Sequence, residues 1–321
     1  MENDKIEKNK ERSKEMIIGV IGATSTIASK AYLPVYASLQ DEHRFILYSR
    51  TWEKAEEYRK KYKFEYATTD LAALETVDLV MIHAATSQHF ELAKRYLSAG
   101  VHVLMDKPIS ENFNEVRELY DIAKAKEVLF VIAFNRRFAP QTQKLKAMPH
   151  KNVIKITKNL ADHKGEIRFQ LYDIFSHPLD TLIYLLDDEI EQYQYRLKLD
   201  DQGNLARAYV FLETATTSGI ASMNLDSGAY KETFEVESSA ATSIVTDLTE
   251  LETLTTQGRH ISHPNGWNSA PVNRGFEELL CEMLQAVSDY DPKNRTAQLK
   301  KLKQENILKT HEIIAEMLGE K

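Results

Sequence analysis

Residues 16–135 alternate between strand-length apolar runs and helical patterns, and this alternation predicts an α/β domain on a doubly wound parallel sheet. A glycine-bearing turn, Gly19 to Gly22, closes the first of these runs. Past Arg136-Arg137 the pattern changes. Short strand-like runs are separated by turn signals such as Asp200-Asp201-Gln202-Gly203-Asn204 and Asp226-Ser227-Gly228, spacings that suit antiparallel pairing. The expected fold class is therefore a parallel sheet followed by an α+β domain with mostly antiparallel strands.

Each element has a local reason. Residues 16–21 form a buried strand and 27–39 the helix after it, with Pro34 a kink or early stop. Residues 44–49 are the second strand, and Thr51 caps a charged helix over 52–62. Residues 64–66 are a short third strand, 71–74 a helical turn, and 77–84 an apolar fourth strand of the kind buried on both faces. Thr86 or Ser87 caps a helix over 89–98, and Gly100 follows its last turn in the left-handed position. Residues 101–105 are the fifth strand. Asn112 with Glu115 forms a capping-box pattern at the head of a helix running to Lys126, and 128–134 are the sixth strand.

In the second part, 153–160 are a strand, and 169–186 are a helix that Pro178 breaks or kinks. Strands follow at 193–199, 206–213, 219–225, 232–238, 243–248 and 252–255, and helices over 275–289 and 295–318 close the chain. The expected division is a flexible tail over 1–15, a first domain over 16–135 and a second domain over 136–321. A sheet with helices on one face leaves the other to be buried, and a second copy of the same sheet is the simplest cover. A homodimer or homotetramer is expected.

The chain has 321 residues, 43% hydrophobic and 28% charged, with a net charge of -7. That balance argues against nucleic acid as a partner, because phosphate backbones need a basic face. Residues 1–15 lack the apolar core of a signal peptide, and no apolar run is long enough to span a bilayer, so a cytoplasmic protein with no membrane partner is expected. The single cysteine, Cys281, excludes an intramolecular disulfide and a cysteine metal cluster; its helical context predicts a buried, small apolar role.

Five constellations carry candidate chemistry. The first is Gly22-Ala23-Thr24-Ser25-Thr26-Ile27, directly after the first strand, where backbone N–H groups and a helix N-terminus make a phosphate site. Thr24 stands where the dinucleotide fingerprint has a second glycine, and an ordinary strand-to-helix turn is the competing reading. The second is Ser49-Arg50 at the end of strand two. No carboxylate stands there to bind a ribose, and a hydroxyl plus an arginine suits the extra phosphate of NADP; a solvated surface arginine is the alternative. The third is Asp106-Lys107-Pro108 past strand five, at the carboxyl end of the sheet, where a desolvated lysine exchanges protons or polarises a substrate oxygen. The fourth is Asp173 and His177, four apart and thus on one helical face: an acid/base pair, a surface ion pair, or metal ligands without further ligands at diagnostic spacing. The fifth is Asn135-Arg136-Arg137, suited to a cofactor phosphate, an anionic substrate or salt bridges between domains. Ala85, Thr86 and His89, after strand four, lie along the same carboxyl edge as the phosphate turn, and His89 equally suits a helix-start hydrogen bond.

Together these residues resemble the Gfo/Idh/MocA family of NAD(P)-dependent oxidoreductases. Asp106-Lys107-Pro108 is similar to the family's Glu-Lys-Pro signature, and Asp173…His177 to its Asp-x-x-x-His pair. Asn135-Arg136-Arg137-Phe138-Ala139-Pro140 and Gly266-Trp267…Arg274-Gly275-Phe276 resemble the MviM-type members. The resemblance implies a Rossmann domain and a second domain with a large, mostly antiparallel sheet used in oligomers. It implies that Lys107 contacts the reacting oxygen, that His177 gives or takes the proton, and that Asp173 orients the substrate or the histidine. Cofactor contacts would come from Gly22, Ala23, Thr24, Ser25, Thr26, Ile27, Ser49, Arg50, Ala85, Thr86, His89, Asp106, Lys107, Asn135 and Arg136. The implied reaction passes a hydride between nicotinamide and a sugar-like or polyol carbinol carbon. NADP(H) is the preferred cofactor and NAD(H) the alternative. A sensor that binds NADP(H) without turnover is the competing function.

The Ser49-Arg50 pair makes one expectation measurable. NADPH should raise the melting temperature of the protein more than NADH at equal concentration. The reverse order in a thermal-shift titration overturns the assignment of Arg50.

Overall fold

The structure is a computed structural model that describes residues 15–320. Residues 1–14 of the expected tail lie outside the described residues. The chain divides into two compact units. The first comprises the described residues up to Met105, with Leu119–Val131 and Leu280–Leu302. The second comprises Asp106–Glu118, Ile132–Leu279 and the described residues from Lys303 onward.

In the first unit β1 (Ile17–Ile21), β2 (Arg44–Tyr48), β3 (Tyr66–Thr68), β4 (Leu79–Ile82), β5 (His102–Met105) and β6 (Phe130–Ile132) form a six-stranded sheet in the order β3-β2-β1-β4-β5-β6. The pairs β1–β2, β1–β4, β2–β3 and β4–β5 are parallel. The order reverses direction between β1 and β4, which creates the switch point where such sheets bind ligands. Helices α1 (Leu33–Ser38), α2 (Trp52–Tyr62), α3 (Thr86–Ser98) and α4 (Phe113–Ala125) supply the crossovers. Every residue of β4 is buried, which is why it reads as a continuous apolar run.

Local departures have local causes. The first helix opens as a π turn, Ala28–Tyr32, and Pro34 follows it at the start of α1 without ending the helix. The third strand lies later than expected because Phe64 is not in the ladder; its ring packs in the core against Phe45 at 5.7 Å. Helix α3 starts at Thr86, with Ala85 as its cap residue, so neither Thr86 nor Ser87 is the cap. The capping box is also different. Glu115 bonds the hydroxyl of Ser110, which accepts the Asn112 N–H at 3.0 Å, while Asn112 Oδ1 accepts the Asn114 N–H at 3.0 Å.

In the second unit, α5 (Pro140–Lys146), β7 (Lys151–Asn159), α6 (Ile167–Phe169) and α7 (Ser176–Leu185) precede seven further strands. These are β8 (Ile190–Leu199), β9 (Leu205–Thr214), β10 (Ser218–Asn224), β11 (Lys231–Ser238), β12 (Thr242–Thr246), β13 (Glu250–Thr255) and β14 (Gly258–Ser262). The eight strands run β14-β13-β12-β11-β7-β10-β9-β8, antiparallel except for the parallel pair β7–β10. Strand β14 was not expected: it is a short, mostly exposed edge strand with little apolar patterning. Leu171, Tyr172, Phe175, Leu179 and Leu182 pack on inward side chains of the sheet such as Ile154, Ile156, Val210, Phe234 and Val236. Pro178 does not break its helix. The irregularity precedes it, as a π-helical segment over Gln170–Phe175 between α6 and α7.

Helices α8 (Ala270–Asn273), α9 (Phe276–Ser288), α10 (Arg295–Lys301) and α11 (Ile307–Met317) complete the chain. Leu279, Leu280, Met283, Leu284 and Val287 form the buried stripe of α9. Cys281 falls off that stripe and is exposed, which corrects the expected burial. The last predicted helix is two helices, α10 and α11. Between them Lys303 and Asn306 take left-handed conformations, with φ 56 and 62. The carbonyls of Lys303 and Glu305 accept bonds from Arg137 Nη1 at 2.6 and 2.7 Å, and the Gln304 side chain accepts the Ile132 N–H at 2.8 Å. Both uses require the helical ladder to open.

Arg137 also holds both oxygens of Asp180 at 2.9 and 2.7 Å, and each side chain is 1% exposed. Leaving one member of such a pair alone costs about 3–5 kcal/mol, whereas replacing both with apolar groups is close to neutral. Arg137→Met should therefore lower the urea midpoint strongly, and adding Asp180→Leu should restore only part of the loss, because the carbonyls of Lys303 and Glu305 stay without their donor. Equal midpoints for the wild type and the single variant refute this role.

Candidate active site

The first unit carries the phosphate-type turn. Gly22 has φ 81, and a Cβ there would lie 2.4 Å from the backbone carbonyl of His83. Only glycine lets β1 leave the sheet this close to the chain that follows β4. Ser25 Oγ accepts the N–H of Ala28 at 3.1 Å and so caps the helix start. Among the described residues no acceptor meets the N–H groups of Ala23 or Thr24. Thr24, Thr26 and Ile27 are exposed. Exposed helix-start donors above a close-approach glycine fit the pyrophosphate of a dinucleotide. Ser49 and Arg50 follow β2; Arg50 is exposed and makes no ion pair among the described residues. Ala85 is exposed, while His89 is buried with Nε2 on the Ala84 carbonyl at 3.0 Å. His89 therefore acts as a helix-start hydrogen bonder. His83, which no sequence motif marks, is buried beneath the turn and bonds Tyr36 Oη at 2.7 Å.

The second unit gathers Lys107, Asp173, His177 and Arg136. Lys107 Nζ lies 2.5 Å from both the carboxylate and the backbone carbonyl of Asp173, with 17% of its side chain exposed. The π segment ends at Phe175, with the Ser176 N–H on the Leu171 carbonyl, and Pro178 brings no N–H to the turn that follows. Lys107 donates to the Asp173 carbonyl at this junction.

His177 does not pair with Asp173 as the four-residue spacing predicts. The wider turn sends Asp173 to Lys107, and His177 Nδ1 lies 2.8 Å from Arg136 Nη1. Arg136 is in turn fixed by Glu232, whose two oxygens take its Nε and Nη2 at 2.7 and 3.0 Å. Both are buried, at 8% and 9% side-chain exposure. Arg136 thus serves Glu232 and His177, and it does not offer a free fork for a cofactor phosphate. Asn135 Nδ2 is committed to the Arg274 carbonyl at 2.7 Å, and Gly275 (φ 81) lies so close to the Asn135–Phe138 turn that a Cβ would come within 2.4 Å of its backbone. Arg137 is closed by Asp180.

Charge shapes the cluster. Burial lowers the pKa of Lys107, against the opposing pull of Asp173. Burial, then Arg136, Lys107, Lys158 and Arg274, hold the His177 imidazole well below its ordinary range, so it is neutral. Lys158 is brought down to about 8 by burial and by Arg136. Burial pushes the Glu232 carboxyl up, but Arg136 and Lys158 outweigh it and keep it ionised. The sequence predicts Glu232 and Lys158 only as strand residues. Their signal was phase: Glu232, Phe234 and Val236 share one face of β11, Ile154, Ile156 and Lys158 one face of β7, and both faces turn inward. Among the described residues no group of three or more His, Cys, Asp or Glu side chains is arranged to hold a metal.

Comparison with known proteins places this geometry. Residues 16–134 match the model of the oxidoreductase family with an NAD-binding Rossmann fold, GFO_IDH_MocA, and residues 140–256 match the YceM-like C-terminal domain. The chain is 28% identical to YceM of Salmonella typhimurium over 262 residues, which cover 81% of this chain and 85% of that one. It is 33% identical to the scyllo-inositol 2-dehydrogenase (NADP(+)) IolU of Bacillus subtilis over 139 residues, 42% of each chain. The crystal structure of a Gfo/Idh/MocA family oxidoreductase from Vibrio cholerae superposes with a TM-score of 0.81 at 25% identity, covering 95% of this chain and all of that one. The dehydrogenase MviM from Clostridium difficile superposes at 0.79, also at 25% identity, covering 91% of this chain and 98% of that one. With a Rossmann sheet, an eight-stranded sheet and a lysine–aspartate–histidine cluster in place, the fold of the chain is that of the Gfo/Idh/MocA oxidoreductases, whose family model its residues 16–134 match.

Proposed function

We propose that this protein is an NAD(P)-dependent oxidoreductase of a sugar-like or polyol alcohol or ketone, with NADP(H) the preferred cofactor. The observation that carries the reading is the desolvated Lys107, clasped by the carboxylate and carbonyl of Asp173 beside His177. The Gly22–Ile27 turn and the exposed Arg50 support binding of the cofactor, with Arg50 on the extra phosphate of NADP. The name of the Bacillus subtilis relative, an NADP(+)-dependent inositol dehydrogenase, supports both the cofactor and the polyol class.

When bound, the cofactor supplies or accepts the hydride. The residues handle the proton. Lys107 Nζ gives a proton to the substrate oxygen in reduction and takes it in oxidation, and Asp173 keeps the amine aimed. His177 bonds the same oxygen. In reduction Lys107 must be an ammonium, so the rate falls as pH rises through its pKa; in oxidation it must be an amine, so the rate rises. Burial lowers that pKa, so either limb should sit below the ordinary lysine range.

Lys107→Met should cut turnover by ~10²–10⁴-fold across a panel of sugars and polyols, as loss of a positioned acid or base does, with NADPH binding retained. Turnover within error of the unaltered protein removes Lys107 from the chemistry.

The assembly is a homodimer or homotetramer in this reading. The outer face of the eight-stranded sheet carries Phe211, Leu254 and Ile261, which are 45%, 36% and 41% exposed in the single chain. A second copy would cover them. Light scattering at micromolar concentration should return at least twice the chain mass of 36.8 kDa, and a monomer there is the contrary result.

A further inference from the structure

We infer that His177 serves as a fixed hydrogen-bond donor through Nε2–H, held in that state by Arg136 and Glu232 as positioning residues, so that Lys107 is the proton carrier of the site. The inference rests on the reading of this cluster as the oxidoreductase centre. It departs from the exchange of protons by the histidine that the sequence resemblance implied.

A guanidinium has five N–H donors and no acceptor. The 2.8 Å contact between Arg136 Nη1 and His177 Nδ1 therefore makes Nδ1 the acceptor. A neutral imidazole carries one proton, and with the Nδ1 lone pair engaged that proton is on Nε2. Arg136 has no freedom to turn away. Its other two bonds run to Glu232, whose own backbone N–H is tied to Asp247 Oδ1 at 2.8 Å.

The ring then has no vacant lone pair with which to take a proton. Its remaining N–H is too weakly acidic to lose one near neutral pH. Protonating Nδ1 would set an N–H against the Arg136 N–H. It would also add a charge to a cluster already holding Arg136, Lys107, Lys158 and Arg274. Of the carboxylates that act on this cluster, Asp173 is taken by Lys107 and Glu232 by Arg136 and Lys158, while Asp106 acts on Lys107. Lys107 is placed differently. An ammonium has three donors; two lie on Asp173, and the third is left for a substrate oxygen. An oxygen meeting both groups receives a directed bond from His177 and exchanges its proton only with Lys107.

The test is nitrogen NMR on the full chain labelled with ¹⁵N-histidine, with His177→Gln used to assign the signals. The expected result is an unprotonated Nδ1, a protonated Nε2, and no titration of His177 between about pH 5 and 8. Replacing the pair together, Arg136→Met with Glu232→Gln, should free the Nδ1 lone pair and raise the pH at which the ring titrates, while burial and the remaining cations still hold it down. A proton on Nδ1, or titration of His177 within that window in the unaltered protein, overturns the inference, whether or not the double variant folds. A kinetic arm adds a separate readout. Glutamine carries an N–H near the position of Nε2 and does not titrate, so His177→Gln should stay within about tenfold of full turnover with unchanged pH limbs. His177→Ala should lose ~10²–10³-fold, as removal of one directed donor does. A glutamine variant as slow as the alanine one, with a pH limb missing, counts against the donor role. The NMR result needs no substrate, so it stands apart from the Lys107→Met test of the reaction itself.

Discussion

The buried ion pair between Arg136 and Glu232 is the constraint on which the candidate site depends. Its energy is poorly described as a gain, since desolvating two charges offsets most of their attraction. Its force lies in what it forbids. With both oxygens of Glu232 engaged, the guanidinium has one orientation, and its remaining edge can only face His177. The backbone that carries it is equally confined, by Asn135 on Arg274, by Gly275 against the turn and by Arg137 on Asp180. A site on so firmly tied a turn keeps its geometry without a bound ligand to organise it.

Two adjacent arginines thus divide the work of the second unit. Arg137 faces the protein, clamping α7 through Asp180 and holding open the break before α11. Arg136 faces the chemistry. Neighbouring residues of a tight turn point in different directions, so one short segment reaches both.

The alternation of strand and helix and the antiparallel spacing were legible because burial on two faces and on one face leave different hydrophobic periods. Asp106-Lys107-Pro108 and Asp173…His177 were legible as motifs. Their partners were not. A four-residue spacing implies a shared face only on an α-helix, and the π segment over Gln170–Phe175 invalidates that inference without any change of composition. The fate of Arg136 hinged on Glu232, 96 residues away, and no local pattern announces a pairing of that range. Yet Glu232 sat in phase with Phe234 and Val236, so a charged residue on a buried face was visible without its purpose. Cys281 was misplaced by one position on a helical wheel, since its neighbours Leu280 and Leu284 take the buried stripe.

The widened turn ahead of α7 is equivalent to one residue added to an otherwise regular α-helix. Such an addition rotates everything downstream by roughly 100° while the axis carries on. The two halves of this helical stretch can therefore be set independently, Asp173 for one partner and His177 for another. Deleting a single residue between Gln170 and Phe175 would swing the imidazole about the axis and leave the hydrophobic stripe of α7 out of step with its sheet. The extra residue is thus an adjustable dial between packing and aim, and both depend on its being present.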